Sequence, residues 1–351
     1  MTPLADLLAA RIRANGPITL ADYMTECLLH PVYGYYTTQE PFGTAGDFTT
    51  APEISQMFGE LVGLCLAQTW LDQGAPAPFT MAEFGPGRGS LMADALRATR
   101  SVPGFHAAMR LTLIEASPRL RAIQAATLAG YSPVWLNALQ DLPNLPLYLV
   151  ANEFFDALPI RQFQRAGRFW RERLVGLAAK GLIFGLGPIL PVPALTHRLN
   201  DTTEGQIVEL CPQASAIMAE IGTRLAETGA ALIIDYGDWH SMGDTFQALH
   251  DHAPVDPLAT PGAADLTAHV DFEALAQAAA PAAQAYTTQG AFLTALGIQQ
   301  RAARLAQNMS GAALQSHQAA THRLTSPMEM GSLFKVLAVH PARYPSPPGS
   351  A

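Results

Sequence analysis

Phe79-Thr-Met-Ala-Glu-Phe-Gly-Pro-Gly-Arg-Gly-Ser90, continuing as Leu91-Met-Ala-Asp-Ala-Leu-Arg97, is the stretch whose reading decides the fold. An apolar run enters Glu83. Glycines follow at alternate positions (Gly85, Gly87, Gly89) with Pro86 among them, and apolar residues then recur at Leu91, Met92, Ala95 and Leu96 with helical spacing. The predicted order is strand, tight turn, helix. Glycine tolerates positive φ and has no Cβ, so a ligand can lie directly on the backbone at the helix N-terminus.

The identity of that ligand turns on spacing and charge. A dinucleotide fingerprint reads G-x-G-x-x-G/A and holds a pyrophosphate; here the pattern is G-x-G-x-G followed by Ser90. Glu83 at the strand end repels a diphosphate but attracts the ammonium and sulfonium of S-adenosylmethionine (SAM). A cationic nucleoside ligand is therefore expected against Glu83, Gly85, Pro86, Gly87 and Gly89. A glycine loop alone is also compatible with an ordinary strand-to-helix turn, so the remaining chain has to supply the context.

At 351 residues the chain is long enough for one large domain with insertions or for two domains. A net charge of −8 with 14% charged residues argues against nucleic acid, which calls for a basic stripe. Arg161, Arg165, Arg168, Arg171 and Arg173 gather locally among aromatics, the pattern of a solvated strand face. Cys27, Cys65 and Cys211 lie far apart with no metal or disulfide spacing, which points to a reducing compartment. No apolar run reaches membrane-spanning length. The amphipathic Leu4–Ala14 segment contains Asp6 and reads as a structural helix rather than a presequence.

In chain order, a helix over about 3–14 precedes a second one capped by Thr19. The loop before the next helix (about 54–71) carries Asp47, Thr49, Glu53 and Gln56, which either line a ligand site or cap that helix. After the glycine motif, Arg110-Leu-Thr-Leu-Ile-Glu115 is a second strand. An acid at that tip, Glu115, is placed to accept from ribose hydroxyls, although it stands farther from the glycines than the usual spacing of about 20 residues. A strand at Leu147–Ala151 runs into Asn152-Glu-Phe-Phe-Asp-Ala-Leu-Pro159. Strand carboxyl ends carry the chemistry of open α/β sheets, so Asn152, Glu153 and Asp156 are candidates to meet a substrate, with a polar turn as the alternative. Residues 160–186 read as a β-hairpin excursion, Gly185–Pro193 as a loop, Gly229–Gly237 as a core strand, and 331–339 as the strand that closes the sheet. Asp265, His269 and Asp271 are possible metal ligands, but a loop leading into a helix capped by Asp271 explains them, and no metal is expected.

Together, Tyr33-Gly-Tyr-Tyr36, Gly46-Asp-Phe-Thr-Thr-Ala-Pro-Glu-Ile-Ser-Gln56, Glu83-Phe-Gly-Pro-Gly-Arg-Gly89, Asn152-Glu-Phe-Phe-Asp-Ala-Leu-Pro159, Asp235-Tyr-Gly237 and Asp265-Leu-Thr-Ala-His-Val-Asp271 resemble the MidA family of SAM-dependent methyltransferases, over about residues 3–339. The resemblance implies an α/β class I methyltransferase fold, a Rossmann-like sheet with an N-terminal helical region and inserted substrate-side segments. It implies SAM as methyl donor and a protein arginine of the 49-kDa-type subunit of respiratory complex I as acceptor, in support of complex I assembly. Asp47, Thr49 and Glu53 then join the cofactor residues. A guanidinium is protonated at any ordinary pH, so a carboxylate has to orient one nitrogen and take its proton; Glu153, with Asp156 or Asn152 in support, fills that role. The expected divisions are a cap (1–72), the SAM-binding domain (73–159 and 205–340), a β-rich insert (160–204), a loop and helical insert (240–300) and a disordered tail (341–351). The expected location is cytoplasmic for a bacterial chain, or the mitochondrial matrix for a eukaryotic one, and a homodimer is left open. The competing readings are a nicotinamide or flavin oxidoreductase, a SAM-binding assembly chaperone with little catalysis, and a methyltransferase with another acceptor.

Overall fold

A computed structural model describes residues 2–38 and 50–351. The chain divides into two units, one of residues 1–48, 156–214 and 240–269, the other of 49–155, 215–239 and 270–351.

The second unit is built on one sheet. Its strands lie in the order Ala283–Thr288, Phe334–His340, Gly229–Asp238, Leu147–Asn152, Phe79–Phe84, Met109–Ile114 and Val134–Leu136, with the short strand Val270–Asp271 also paired to Gly229–Asp238. The neighbours from Gly229–Asp238 to Val134–Leu136 are parallel, and Phe334–His340 is antiparallel to both strands beside it. Parallel strands covered on both faces read as continuous apolar runs. Phe79–Phe84 and Leu147–Asn152 are accordingly buried at every residue. The strand order reverses beside Phe79–Phe84, and its carboxyl end, where the glycine loop begins, is the crevice in which such sheets hold ligands.

The helix Gln56–Asp72 fixes the helix that leaves the loop. Gly59 and Gly63, one turn apart, let it lie directly against Ser90–Ala98: a Cβ at Gly59 would stand 2.7 Å from Leu91 O, and one at Gly63 2.6 Å from Ala95 Cα. Between these glycines the buried Glu60 accepts from Arg97 at 2.8 Å and from Arg301 at 2.7 and 2.9 Å. Close backbone contact and a buried carboxylate with two guanidinium partners lock the helix pair.

The first unit has its own apolar core, which includes Leu4, Leu8, Tyr23, Met24, Ile160, Val175 and Leu266. Its five-stranded sheet joins Ile18–Thr19, Arg161–Ala166, Phe169–Ala178, Gly181–Leu190 and Ile207–Leu210, and a three-stranded sheet joins Gln247–His250, Ala253–Val255 and Asp265–Thr267. Thr19 caps the helix Leu20–Leu29 by accepting from Asp22 N at 3.0 Å. The local arginines serve this sheet: Arg161 forks onto Glu172 at 2.7 and 2.6 Å, and Arg173 stands 3.9 Å above the Phe184 ring.

Four expectations change. Gly181–Leu190 is a strand through the glycines and Pro188, because it lies at an edge where a missing N–H costs no ladder bond, and the irregularity in its pairing falls there. Ile207–Leu210, in the stretch expected to belong to the SAM-binding domain (205–340), pairs with Arg161–Ala166 in the sheet of the first unit. Residues 247–267 hold the small sheet where loops and helix were expected. The tail is ordered: Pro348 O accepts from Cys65 Sγ at 3.3 Å, and Ser350 is buried. Proline loses little conformational freedom on ordering, so modest packing suffices to hold it.

Replacing Gly63 by leucine forces the helix pair apart, and overpacking of this kind costs about 1–3 kcal/mol or more. Thermal unfolding of the variant is expected at a lower temperature, with SAM affinity reduced because the glycine loop moves with its helix; an unchanged melting temperature would refute the contact.

Candidate active site

The site begins where Phe79–Phe84 ends. Gly85, Gly87 and Gly89 take φ of 56°, 52° and 84°, the left-handed region in which a Cβ is strained. The loop closes through Gly89 N donating to Pro86 O at 2.7 Å, and Ser90 starts the helix. Gly85 is also tight in space, since a Cβ there would lie 3.0 Å from Phe154 Cδ2. That ring packs edge-on against Phe84, with centroids 5.3 Å apart.

Glu83, in the strand just before the loop, is 3% exposed, and its Oε2 has no hydrogen-bond partner among the described residues. Burial pushes its carboxyl up to about 8, so the group keeps its proton at neutral pH. A buried orphan acceptor at a strand end is a place waiting for a donor, and a cationic donor ionises it.

Glu115, directly after Met109–Ile114, accepts from Ser117 N at 2.8 Å and from Gln124 Nε2 at 3.2 Å. Burial raises its carboxyl above the usual range, against the opposing pull of these donors. A carboxylate has about four lone-pair sites, so these donors leave acceptor capacity for a ribose hydroxyl. Gln124 also donates to Gly87 O at 2.8 Å and accepts from Trp135 Nε1 at 2.8 Å. One amide thus ties the glycine loop to the acid. Ser117 caps the helix Pro118–Thr127, as its Ser-Pro start predicts.

At the end of the neighbouring strand, Asn152 Nδ2 donates to Glu153 Oε1 at 3.1 Å, and Ala51 N donates to the same oxygen at 3.1 Å. Asn152 is 8% exposed, and its Oδ1 is buried without a partner among the described residues. Glu153 has φ 51°, strained for a side chain of its size, and is held there by its N–H donating to Ile234 O at 2.9 Å. The buried Asp235 supports the turn, its Oδ2 accepting from Phe155 N at 3.0 Å. Glu53 joins from the segment before Gln56–Asp72, where its Oε1 accepts from Ser90 Oγ at 2.6 Å.

The second unit therefore brings together Glu83, Gly85, Pro86, Gly87, Gly89, Glu115, Glu53, Asn152 and Glu153. Asp156 belongs to the first unit, where its carbonyl accepts from Ala268 N at 3.0 Å. Asp47 and Thr49 lie outside the described residues. Gln124, Phe154 and Asp235 were given no role from sequence, although Phe154 and Asp235 stand in strings that carry the resemblance. Only Asp235 carried a chemical signal, as an acid ending an apolar strand like Glu83 and Glu115.

The sheet order, the glycine loop and the acids at the two strand ends define a class I SAM-dependent methyltransferase. The chain belongs to the family described as "Putative S-adenosyl-L-methionine-dependent methyltransferase", whose model matches residues 61–291. It is 37% identical to the Bos taurus protein arginine methyltransferase NDUFAF7, mitochondrial, over 97% of this chain and 84% of that one, and 36% identical to the Homo sapiens counterpart over 97% and 84%. A Burkholderia thailandensis protein crystallised with S-adenosyl-homocysteine superposes with TM-score 0.84 at 32% identity, covering 96% of this chain and 91% of its own.

SAM fits the residues present: Glu83 would supply an acceptor for its ammonium, the glycines offer a surface without Cβ atoms, and Glu115 would accept from the ribose. When bound, it supplies a methyl group on a sulfonium with a neutral thioether as leaving group. No metal is called on by this chemistry.

Two outcomes follow. Glu83 carries a folded-state pKa above its unfolded one, so between about 4.3 and about 8 the folded chain keeps a proton that the unfolded chain has released. Ligand-free stability therefore falls as pH rises through that window, by at most about 1.4 kcal/mol per pH unit from this group. Thermal melts from pH 5.5 to 8.5 should show Glu83→Gln flattening the slope, raising the melting temperature at high pH, and weakening SAM binding; a variant with the wild-type slope would contradict this. Gly87→Val places a β-branched residue at φ 52°, and calorimetry should find SAM binding abolished.

Proposed function

We propose that the methyl acceptor is a protein arginine, on the 49-kDa-type subunit of respiratory complex I, and that the modification supports complex I assembly. The observation that carries the arginine reading is the buried Asn152 Oδ1 beside Glu153. The Asn152 amide directs its N–H to Glu153 Oε1 at 3.1 Å and so turns its own acceptor oxygen away from that carboxylate. A substrate N–H next to a carboxylate is the group that such a pair accepts. The names of the NDUFAF7 relatives, protein arginine methyltransferases, point the same way.

The residues divide the work accordingly. Asn152 Oδ1 accepts from one N–H of the guanidinium and turns a nitrogen toward the donor side of the sheet. Glu153 attracts the cation and takes a proton from that nitrogen as the N–C bond forms. Ala51 N and Asn152 Nδ2 donate to one of its oxygens and fix the carboxylate in direction. Glu53 and Ser90 tie the short helix Ala51–Ile54 to the glycine motif. Because the donor arrives already activated, alignment and proton removal are the whole of the protein's task.

Purified 49-kDa-type subunit from the same organism, incubated with labelled SAM and mapped by mass spectrometry, should carry label on an arginine. Glu153→Gln should lower turnover about 100-fold or more with SAM affinity unchanged. Normal turnover in that variant would remove Glu153 from its role. Absence of label, with SAM still bound, would turn the reading to another acceptor or to an assembly factor with little catalysis.

A further inference from the structure

Two side chains of the helix Pro118–Thr127 converge on Glu115. Arg121 and Gln124 stand at i and i+3, neighbours on one helix face. Gln124 reaches the carboxylate, donating to Oε2 at 3.2 Å. Arg121 reaches the backbone of the same residue: its Nε donates to Glu115 O at 2.7 Å, and its Nη2 donates to that oxygen as well.

The guanidinium also crosses to the neighbouring strand end. Its Nη2 donates to Leu136 O at 3.2 Å and to Asn137 Oδ1 at 2.6 Å. Leu136 O accepts from Glu115 N at 3.2 Å too, so the pairing of Met109–Ile114 with Val134–Leu136, whose register ends at Ile114 opposite Leu136, extends one residue further, to the acid. Arg121 is itself anchored behind the Ser117 cap, its backbone N–H donating to Ser117 O at 3.0 Å.

Water can satisfy the carbonyls of a strand end. What water does not give is direction. With its N–H held by Leu136 O and its carbonyl gripped by a planar fork, Glu115 cannot turn about either flanking peptide, and its carboxylate keeps the heading set by Ser117 N and Gln124. Electrostatics act in the same sense, since burial raises the Glu115 carboxyl and the nearby Arg121 charge is among the influences that oppose the rise. A binding group performs to the extent that the groups behind it hold it in place.

We propose that Arg121 is a positioning residue for SAM, which sets the Glu115 carboxylate toward a ribose hydroxyl through the Glu115 backbone. This rests on Glu115 as the ribose acceptor and adds the residue that makes that acceptor effective.

The test uses the full chain and two probes. 5′-Methylthioadenosine carries the nucleoside of SAM without the amino-acid end, and its 2′,3′-dideoxy analogue lacks the ribose hydroxyls as well. In calorimetric titrations Arg121→Met should bind methylthioadenosine about tenfold or more weaker than the wild-type chain does, and S-adenosylhomocysteine should lose the same factor. The dideoxy analogue should bind both proteins alike, because it asks nothing of Glu115. A strand end that had merely loosened would weaken both nucleosides together. Arg121→Lys keeps the charge and a donor, so it should recover part of the loss, and it provides the same comparison if the methionine variant does not fold. Wild-type affinity of Arg121→Met for methylthioadenosine, or an equal loss with the dideoxy analogue, would overturn the assignment. If Glu115→Gln weakens methylthioadenosine and Arg121→Met does not, the ribose acceptor stands and only the positioning role is lost. If neither variant weakens it, both fall together.

Discussion

A carboxyl group buried at the end of a central strand with one oxygen left without a partner is the constraint on which the site depends. Glu83 is surrounded by an all-buried strand, and in that setting its charged form is costly. Folding tolerates the group by keeping it protonated, and that leaves the protein poised for a cation. The positive-φ glycines beside it serve the same end, since they clear backbone surface against which a nucleoside can lie. Gln124 then couples the glycine loop to Glu115 through one amide.

Around this centre the second unit is stiff where the ligand needs it stiff. The glycine contact between Gln56–Asp72 and Ser90–Ala98, clamped by Glu60 and its two arginines, fixes the helix that follows the loop. Asp235 and the Ile234 carbonyl fix the strained turn at Glu153. Backbone strain at a residue proposed to move a proton is the expected cost of aiming a side chain that an ordinary strand end would not aim. Phe154 next to Gly85 links this turn to the donor loop.

Local features of this arrangement were legible in the sequence, and long-range ones were not. Alternate glycines after an apolar run can make little besides a strand-to-helix turn, and Ser117-Pro118 and Thr19 announce their helices by chemistry acting within three residues. The acids Glu83 and Glu115 could be read because strand ends are visible in the hydrophobic pattern. Pairing is another matter: Ile207–Leu210 looks the same whichever sheet receives it, and Gly181–Leu190 is a strand only because its partner Phe169–Ala178 makes it one. The close approach of Gly59 and Gly63 to another helix, and the packing of the proline-rich tail on Cys65, likewise depend on residues distant in the chain. Asp271 shows both sides of this limit: its role as a helix cap was legible from local spacing, whereas the partners of Asp265 and His269, Tyr36 and Thr245, lie far off in the chain.

The most direct test of the central claim is isothermal calorimetry of SAM binding at pH 7 in buffers of different ionisation enthalpy. If a protonated Glu83 is ionised by the arriving cation, close to about one proton is released per SAM bound, and none is released by Glu83→Gln. A binding enthalpy that is independent of the buffer in the wild-type protein would contradict the account, because Glu83 would then be ionised, and already partnered, before the ligand arrives.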